Sequence, residues 1–294
     1  MPNASAADAR PDVIGAGILY HCIPEFTEYY DRLRQVGGHI DIVEYLAVHY
    51  ASDPEYLGEV HRSFGEDMPS SLHSFEYMIG SVDRQSDKVL RRLRRQVELS
   101  NCQYIGEHVG LMGTTEVYSG TFLQPFGTDE QTQLFIDNLL DIEANDTAGC
   151  PLIIENQSQI YNQIGPRSMC EQISDIAVGA DTGILLSLSN FMIAEKHHPM
   201  DRERELSSLP LERVWQLHLP IACAAELADP EYAGYRHEEE WARETIEQLF
   251  KEPGFRPSAI VFEVQDAGTP SFAEPEHLRD SMDWARELLA KPTP

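Results

Sequence analysis

The chain has 294 residues, of which 42% are hydrophobic and 24% charged, which supplies a sizeable core and argues against disorder. Its net charge of -27 repels phosphate backbones and excludes nucleic acid as an expected partner. Five cysteines (Cys22, Cys102, Cys150, Cys170 and Cys223) lack CxxC spacing and suit a reducing cytoplasm, and neither a signal peptide nor a membrane-spanning run is legible.

Residues 1–11 read as a flexible tail and residues 12–294 as a single domain. A first strand runs from Val13 to Tyr20 and ends at His21. Pro24 opens a helix closed by Gly37 and Gly38. The second strand, His39 to Leu46, carries Glu44, and the third, Pro69 to His73, ends on an imidazole. Between Asp87 and Leu99, Val89, Leu90, Leu93 and Val97 recur at helical spacing. Arg91, Arg92, Arg94 and Arg95 occupy the other face, a solvated surface or, alternatively, a docking surface.

The fourth strand, Cys102 to His108, ends in Gly-Glu-His, and the stretch from Val109 to Gly127 reads as a long loop able to cover a site. Asp129 starts a helix, and Pro151 to Asn156 follows as a short apolar run ending in Glu155 and Asn156. That is the pattern of a buried parallel strand delivering a functional group at its tip. A helix is expected over Gly165 to Val178 and a sixth strand over Gly183 to Leu188. A short helical or turn segment lies near Leu206, with a seventh strand from Val214 to His218. A long acidic loop, a helix from His237, an eighth strand from Ala259 to Val264 and a last helix from Pro275 complete the chain. Eight strand–helix alternations over this length predict a (β/α)8 TIM barrel in the α/β class. A doubly wound sheet would place its glycines in the turn after the first strand, whereas Gly15 and Gly17 fall inside that strand.

Barrel enzymes place their chemistry at the C-terminal strand ends. Here those ends carry His21, Glu44, His73, Glu107, His108, Glu155, Asn156, Ser187, Asn190, His218 and Glu263. So many carboxylates converging on one mouth would repel one another, and a cation removes the conflict. Mixed imidazole and carboxylate donors suit iron, manganese or zinc.

The blocks Ser-Leu-His73, Gly-Glu107-His108, Leu-Ile-Ile-Glu155-Asn156, Leu-Leu-Ser187-Leu-Ser-Asn190 with His198, Val-Trp-Gln-Leu-His218 and Ile-Val-Phe-Glu263 stand in the order found in a known family. The chain resembles the multinuclear non-haem iron-dependent oxidative enzymes, which include the methanobactin-maturation oxidase. The resemblance implies a xylose-isomerase-like barrel holding roughly one to three irons, with dioxygen as oxidant. It implies a substrate that is a peptide, often at cysteine, presented by a partner protein. Metal ligands implied are His73, Glu107, Glu155, His218 and Glu263, with Asn190, His198 and His21 as further candidates; no catalytic residue is assigned. Departures accompany the match: Ser187 stands where the family carries Asp and Ser189 where it carries Asn. A second histidine after His218 is missing, and Val264-Gln265 replaces the usual Trp-Asp. A serine cannot replace a bridging carboxylate, so at least one metal position is weakened.

The leading expectation is an iron-dependent oxidoreductase acting with dioxygen on a peptide or a small amino-acid-like molecule. The alternatives are a non-redox metal-dependent isomerase, epimerase or hydrolase and a non-catalytic barrel partnering an active paralogue.

Overall fold

In the computed structural model, which describes residues 10–114, 117–198, 200–222, 233–264 and 272–292, eight parallel strands close into a barrel. They are β1 (Gly15–Tyr20), β2 (Ile42–Leu46), β3 (Ser70–Ser74), β4 (Cys102–His108), β7 (Leu152–Glu155), β8 (Gly183–Ser187), β9 (Val214–Pro220) and β10 (Ala259–Glu263), with β10 pairing back onto β1. Strands β5 (Leu111–Gly113) and β6 (Tyr118–Leu123) form a separate antiparallel pair. The helices are α1 (Pro24–Gln35), α2 (Pro54–Phe64), α3 (Asp87–Leu99), α4 (Asp129–Asn145), α5 (Met169–Gly179), α6 (Leu188–His197), α7 (Arg202–Ser207), α8 (Ala233–Leu249) and α9 (Pro275–Leu289). The expected TIM barrel is the observed fold. No helix among the described residues is long and apolar enough to cross a membrane.

Strand alternation builds two cores. One set of side chains packs outward against the helices, and the other fills the lumen with Leu19, Ile42, Tyr104, Ile153, Leu185, Trp215, Ala259 and Val261. Trp215 needs a gap in that floor, and Gly183 supplies it: a Cβ at Gly183 would stand 2.6 Å from the indole and 2.7 Å from Ile153. Gly183→Ala is therefore expected to cost about 1–3 kcal/mol by overpacking, read as a lower urea midpoint with unchanged slope.

Three local readings differ from the sequence expectation. The stretch after β4 is not one irregular loop but holds the β5–β6 hairpin. The helix expected from Gly165 begins at Met169, because Ser168 and Glu171 form a reciprocal capping box there. Helix α6, unforeseen, follows β8 without a connecting loop: Ser187 ends the strand and its hydroxyl caps the helix by accepting the Asn190 N–H.

The arginine face of α3 is engaged within the chain. Arg92 pairs with Glu76 at 2.5 Å, Arg94 with buried Asp146 at 3.2 Å, and Arg95 with Glu55 at 2.6 Å, while Arg91 lies 4.0 Å from Asp87. The described cysteines, Cys22, Cys102, Cys150 and Cys170, are free thiols. Residues 1–9 of the expected tail, Cys223, Gln265 and most of the acidic loop after β9 lie outside the described residues.

Candidate functional site

Parallel strands in register bring their inward side chains to common levels. Leu46 pairs with His73, His73 with Gly106, His108 with Glu155, and Ser187 with His218. The mouth of the lumen is thereby ringed by His73, His108, Glu155, Ser187, His218 and Glu263, with Glu44 one level deeper. Gly106 keeps that level open, since a Cβ there would lie 3.3 Å from His73 Nδ1 and 3.9 Å from Glu44 Oε1.

Two groups of donor atoms result, each lying within 4.8 Å: Glu44, His73 and His218; and His73, His108 and Glu155. In the second group, His73 Nε2 is 2.8 Å from His108 Nε2 and 3.2 Å from Glu155 Oε2, and His108 Nδ1 is 3.1 Å from Glu155 Oε2. His218 Nδ1 faces the same space, 3.6 Å from Glu155 Oε1 and 3.8 Å from Glu263 Oε1. Ligands about 2.0–2.2 Å from one ion are themselves roughly 3.0–3.6 Å apart, so these separations fit a shared cation. Despite such proximity, buried Glu155 Oε2 and His218 Nδ1 each lack a hydrogen-bond partner. The residues present therefore fit a metal.

The electrostatics agree. Burial alone would push the Glu155 carboxyl up, but the imidazoles of His108, His73 and His218 outweigh it and hold it at about 2. Burial likewise opposes ionisation of Glu44, and His218 and His73 overcome it to hold that carboxyl low. His73 and His218 are raised, because Glu155 and Glu44 outweigh the burial that would lower them. His108 drops to about 4 because burial dominates there. The buried carboxylates thus depend on the imidazoles around them, and a cation at the same place would favour their charged form in the same sense.

The other residues singled out in the sequence fall as follows. Glu263 accepts the Ser189 hydroxyl on Oε2 at 2.6 Å and leaves Oε1 toward His218. The Asn190 amide donates to Glu155 Oε1 at 3.1 Å and to the Asn156 carbonyl at 3.0 Å, so it steadies Glu155. Asn156 ties β7 to β8 by exchanging two hydrogen bonds with the Ser187 backbone. Glu107 does not join the cluster. The pleat turns it to the helix side of β4, where burial pushes it up to about 8 against hydrogen bonds from Ser74, Tyr77 and Met78. His21 packs at a tilt against the rings of Phe26 and His49 and is pushed down to about 4 by burial and by His49. His198 caps the C-terminus of α6, and neither it nor His21 enters either donor group.

Two members of the cluster, Glu44 and His108, stand at strand ends in the sequence yet are absent from the implied ligand set. Period-two alternation marks both: Glu44 shares a face with Ile42, and His108 shares one with Tyr104, which leaves Glu107 on the opposite face.

Comparison with known proteins agrees with this architecture. A UPF0276 protein from Rhizorhabdus wittichii is 24% identical over 197 residues, covering 67% of this chain and 69% of its own. A UPF0276 protein from Shewanella oneidensis is 22% identical over 282 residues, 95% of each chain. Among solved structures, D-psicose 3-epimerase from Clostridium cellulolyticum H10 superposes with a TM-score of 0.57 at 14% identity, over 94% of this chain and 99% of its own. The E. coli 3-keto-D-glucoside 4-epimerase YcjR gives 0.51 at 14% identity, over 93% and 99%. These likenesses show the fold alone. The family described as RiPP precursor modification enzyme MbnB/TglH/ChrH matches residues 24–250, most of the barrel and every cluster residue except Glu263. The chain belongs to that family, as a divergent member.

Proposed function

We propose that this protein is a non-haem iron-dependent oxidoreductase that uses dioxygen to oxidise a peptide, at cysteine or a comparable residue, at the barrel mouth. The observation that carries the reading is the convergence of His73 Nε2, His108, Glu155, His218 Nδ1 and Glu263 on one space, in a chain whose family modifies precursor peptides. Bound iron supplies a one-electron redox couple that lets dioxygen act as oxidant. The chain's own groups do the rest. Glu155 binds through a carboxylate held by Asn190. Glu263, whose side chain is 30% exposed, stands where substrate enters, and the apolar lumen below excludes water. A partner protein or a paralogous barrel that presents the peptide belongs to the same reading.

The test is metal analysis of protein purified without air, with electronic and Mössbauer spectra recorded before and after oxygen. On the order of one iron per chain or more, with an air-dependent spectrum, is expected. A colourless zinc, manganese or magnesium protein would instead favour isomerase, epimerase or hydrolase chemistry. Protein that holds no metal and takes up none would be a binding subunit.

A further inference from the structure

Both donor groups contain His73 and His218 lies within reach of both, so each imidazole faces two carboxylates with its two nitrogens. His73 presents Nδ1 to Glu44 Oε1 at 3.4 Å, without a hydrogen bond between them, and Nε2 to Glu155 Oε2 at 3.2 Å. His218 presents Nε2 to Glu44 Oε2 at 2.5 Å and Nδ1 to Glu155 Oε1 at 3.6 Å. Glu44 and Glu155 thus clasp the same pair of rings from opposite sides. Filling both sides with cations would make each ring an imidazolate, stripped of both N–H protons. A ring that binds metal through one nitrogen ordinarily donates its other N–H to an acceptor, which fixes tautomer and orientation. Only one of the two sides is then the metal side.

The surroundings decide which. Beyond Glu155 lie two further donors, His108 and Glu263, and the exposed edge of the mouth. Beyond Glu44 lies the closed floor. Glu44 is fully buried, and the Gln216 amide donates to its Oε1 at 3.0 Å. A Cβ at Gly106 would touch Leu185 and His73 there. That side has one fully buried carboxylate and no further donor of metal-ligating type among the described residues.

We propose that Glu44 is a positioning residue and not a metal ligand: it accepts the Nε2–H of His218 and faces the Nδ1–H of His73, which leaves His73 Nε2 and His218 Nδ1 for the metal. One carboxylate, itself anchored by Gln216, then sets the tautomers of two ligands on different strands. The inference rests on the metal-centre reading above and adds which side of the rings is occupied.

The experiment uses the full chain loaded with cobalt(II) alone, whose visible bands and X-ray absorption report the coordination sphere. In Glu44→Gln, saturating cobalt is expected to reach wild-type stoichiometry with the same bands and the same number of oxygen and nitrogen neighbours, at roughly 10–100-fold weaker affinity, the usual cost of losing an outer partner. Hyperfine-shifted exchangeable ring N–H signals of two histidines, present in the wild type, are expected to exchange faster. Gln216→Leu, which frees Glu44 and also removes the amide 2.9 Å from the non-metal nitrogen of His218, is expected to show a smaller affinity loss and unchanged bands; it decides the matter if Glu44→Gln does not fold. A change of bands and neighbour count as large as that of Glu155→Gln makes Glu44 a ligand and overturns the proposal, as does unaltered affinity. A wild type that binds no cobalt overturns the metal centre itself, a result seen before any variant is compared.

Discussion

Glu155→Ala is expected to strip the protein of metal. Among the described residues, Glu155 is the only carboxylate whose oxygens lie within 4 Å of all three clustered imidazoles, those of His73, His108 and His218. Removing it leaves the imidazoles facing one another, with His73 and His108 nitrogens 2.8 Å apart and no anion between them. Any cation would then be held by neutral donors and the more distant Glu263. The affinity loss should exceed the roughly 10–100-fold seen when an outer partner is removed, so metal per chain after desalting should fall to background. Glu155→Gln, similar in shape and uncharged, should do the same while preserving the fold, which circular dichroism checks. The informative control is Glu107→Ala. Glu107 adjoins His108 in sequence but faces the helices, so its loss should lower stability and leave metal content unchanged. Wild-type metal content in Glu155→Ala would place the centre elsewhere, and loss of metal in Glu107→Ala would undo the assignment of faces.

Ser187→Asp is expected to act in the opposite direction. Ser187 is fully buried at the tip of β8, opposite His218 in the ladder. Its hydroxyl caps α6 by accepting the Asn190 N–H at 3.2 Å. Aspartate is as good an N-cap as serine, so the new carboxylate can keep the cap and still turn one oxygen toward His218. Asn190 stays in place to hold Glu155. A further anionic donor beside a mixed imidazole and carboxylate site should tighten metal binding by about tenfold or more, or raise the number of ions per chain. Metal titration under nitrogen, read by inductively coupled plasma analysis and competition with a chelator, measures both. Unchanged affinity and stoichiometry would show that the serine costs the site nothing.

The two serines at the departures from the family pattern explain how the barrel tolerates them. Ser187 keeps the helix cap, and Ser189 donates to Glu263 Oε2 at 2.6 Å. Each position retains a local hydrogen bond while giving up the chance to ligate. The cluster that remains leans toward β3, β4, β7 and β9, where His73, His108, Glu155 and His218 converge.

The barrel itself was legible because its signal is local. Short apolar runs ending in polar residues and separated by amphipathic helices repeat along the chain, and such runs can only be satisfied as buried parallel strands. What escaped were the hairpin after β4 and helix α6. The hairpin is short and not paired with the barrel strands, so its alternation is faint. Helix α6 begins on the residue after the strand, where Ser187 serves both elements and leaves no break to mark the change.

By itself the sequence determined the fold, the family and the pool of imidazoles and carboxylates at the strand ends. It did so because strand order along the chain and chemistry at each tip are properties of contiguous residues. Only the tertiary structure decided which members of that pool meet. Barrel closure and strand stagger carry Glu44 from β2 to within 2.5 Å of His218 on β9, 174 residues away. The pleat turns His108 inward and Glu107 out. Those are consequences of register between strands, and a register is a relation between distant segments that no single stretch of sequence encodes.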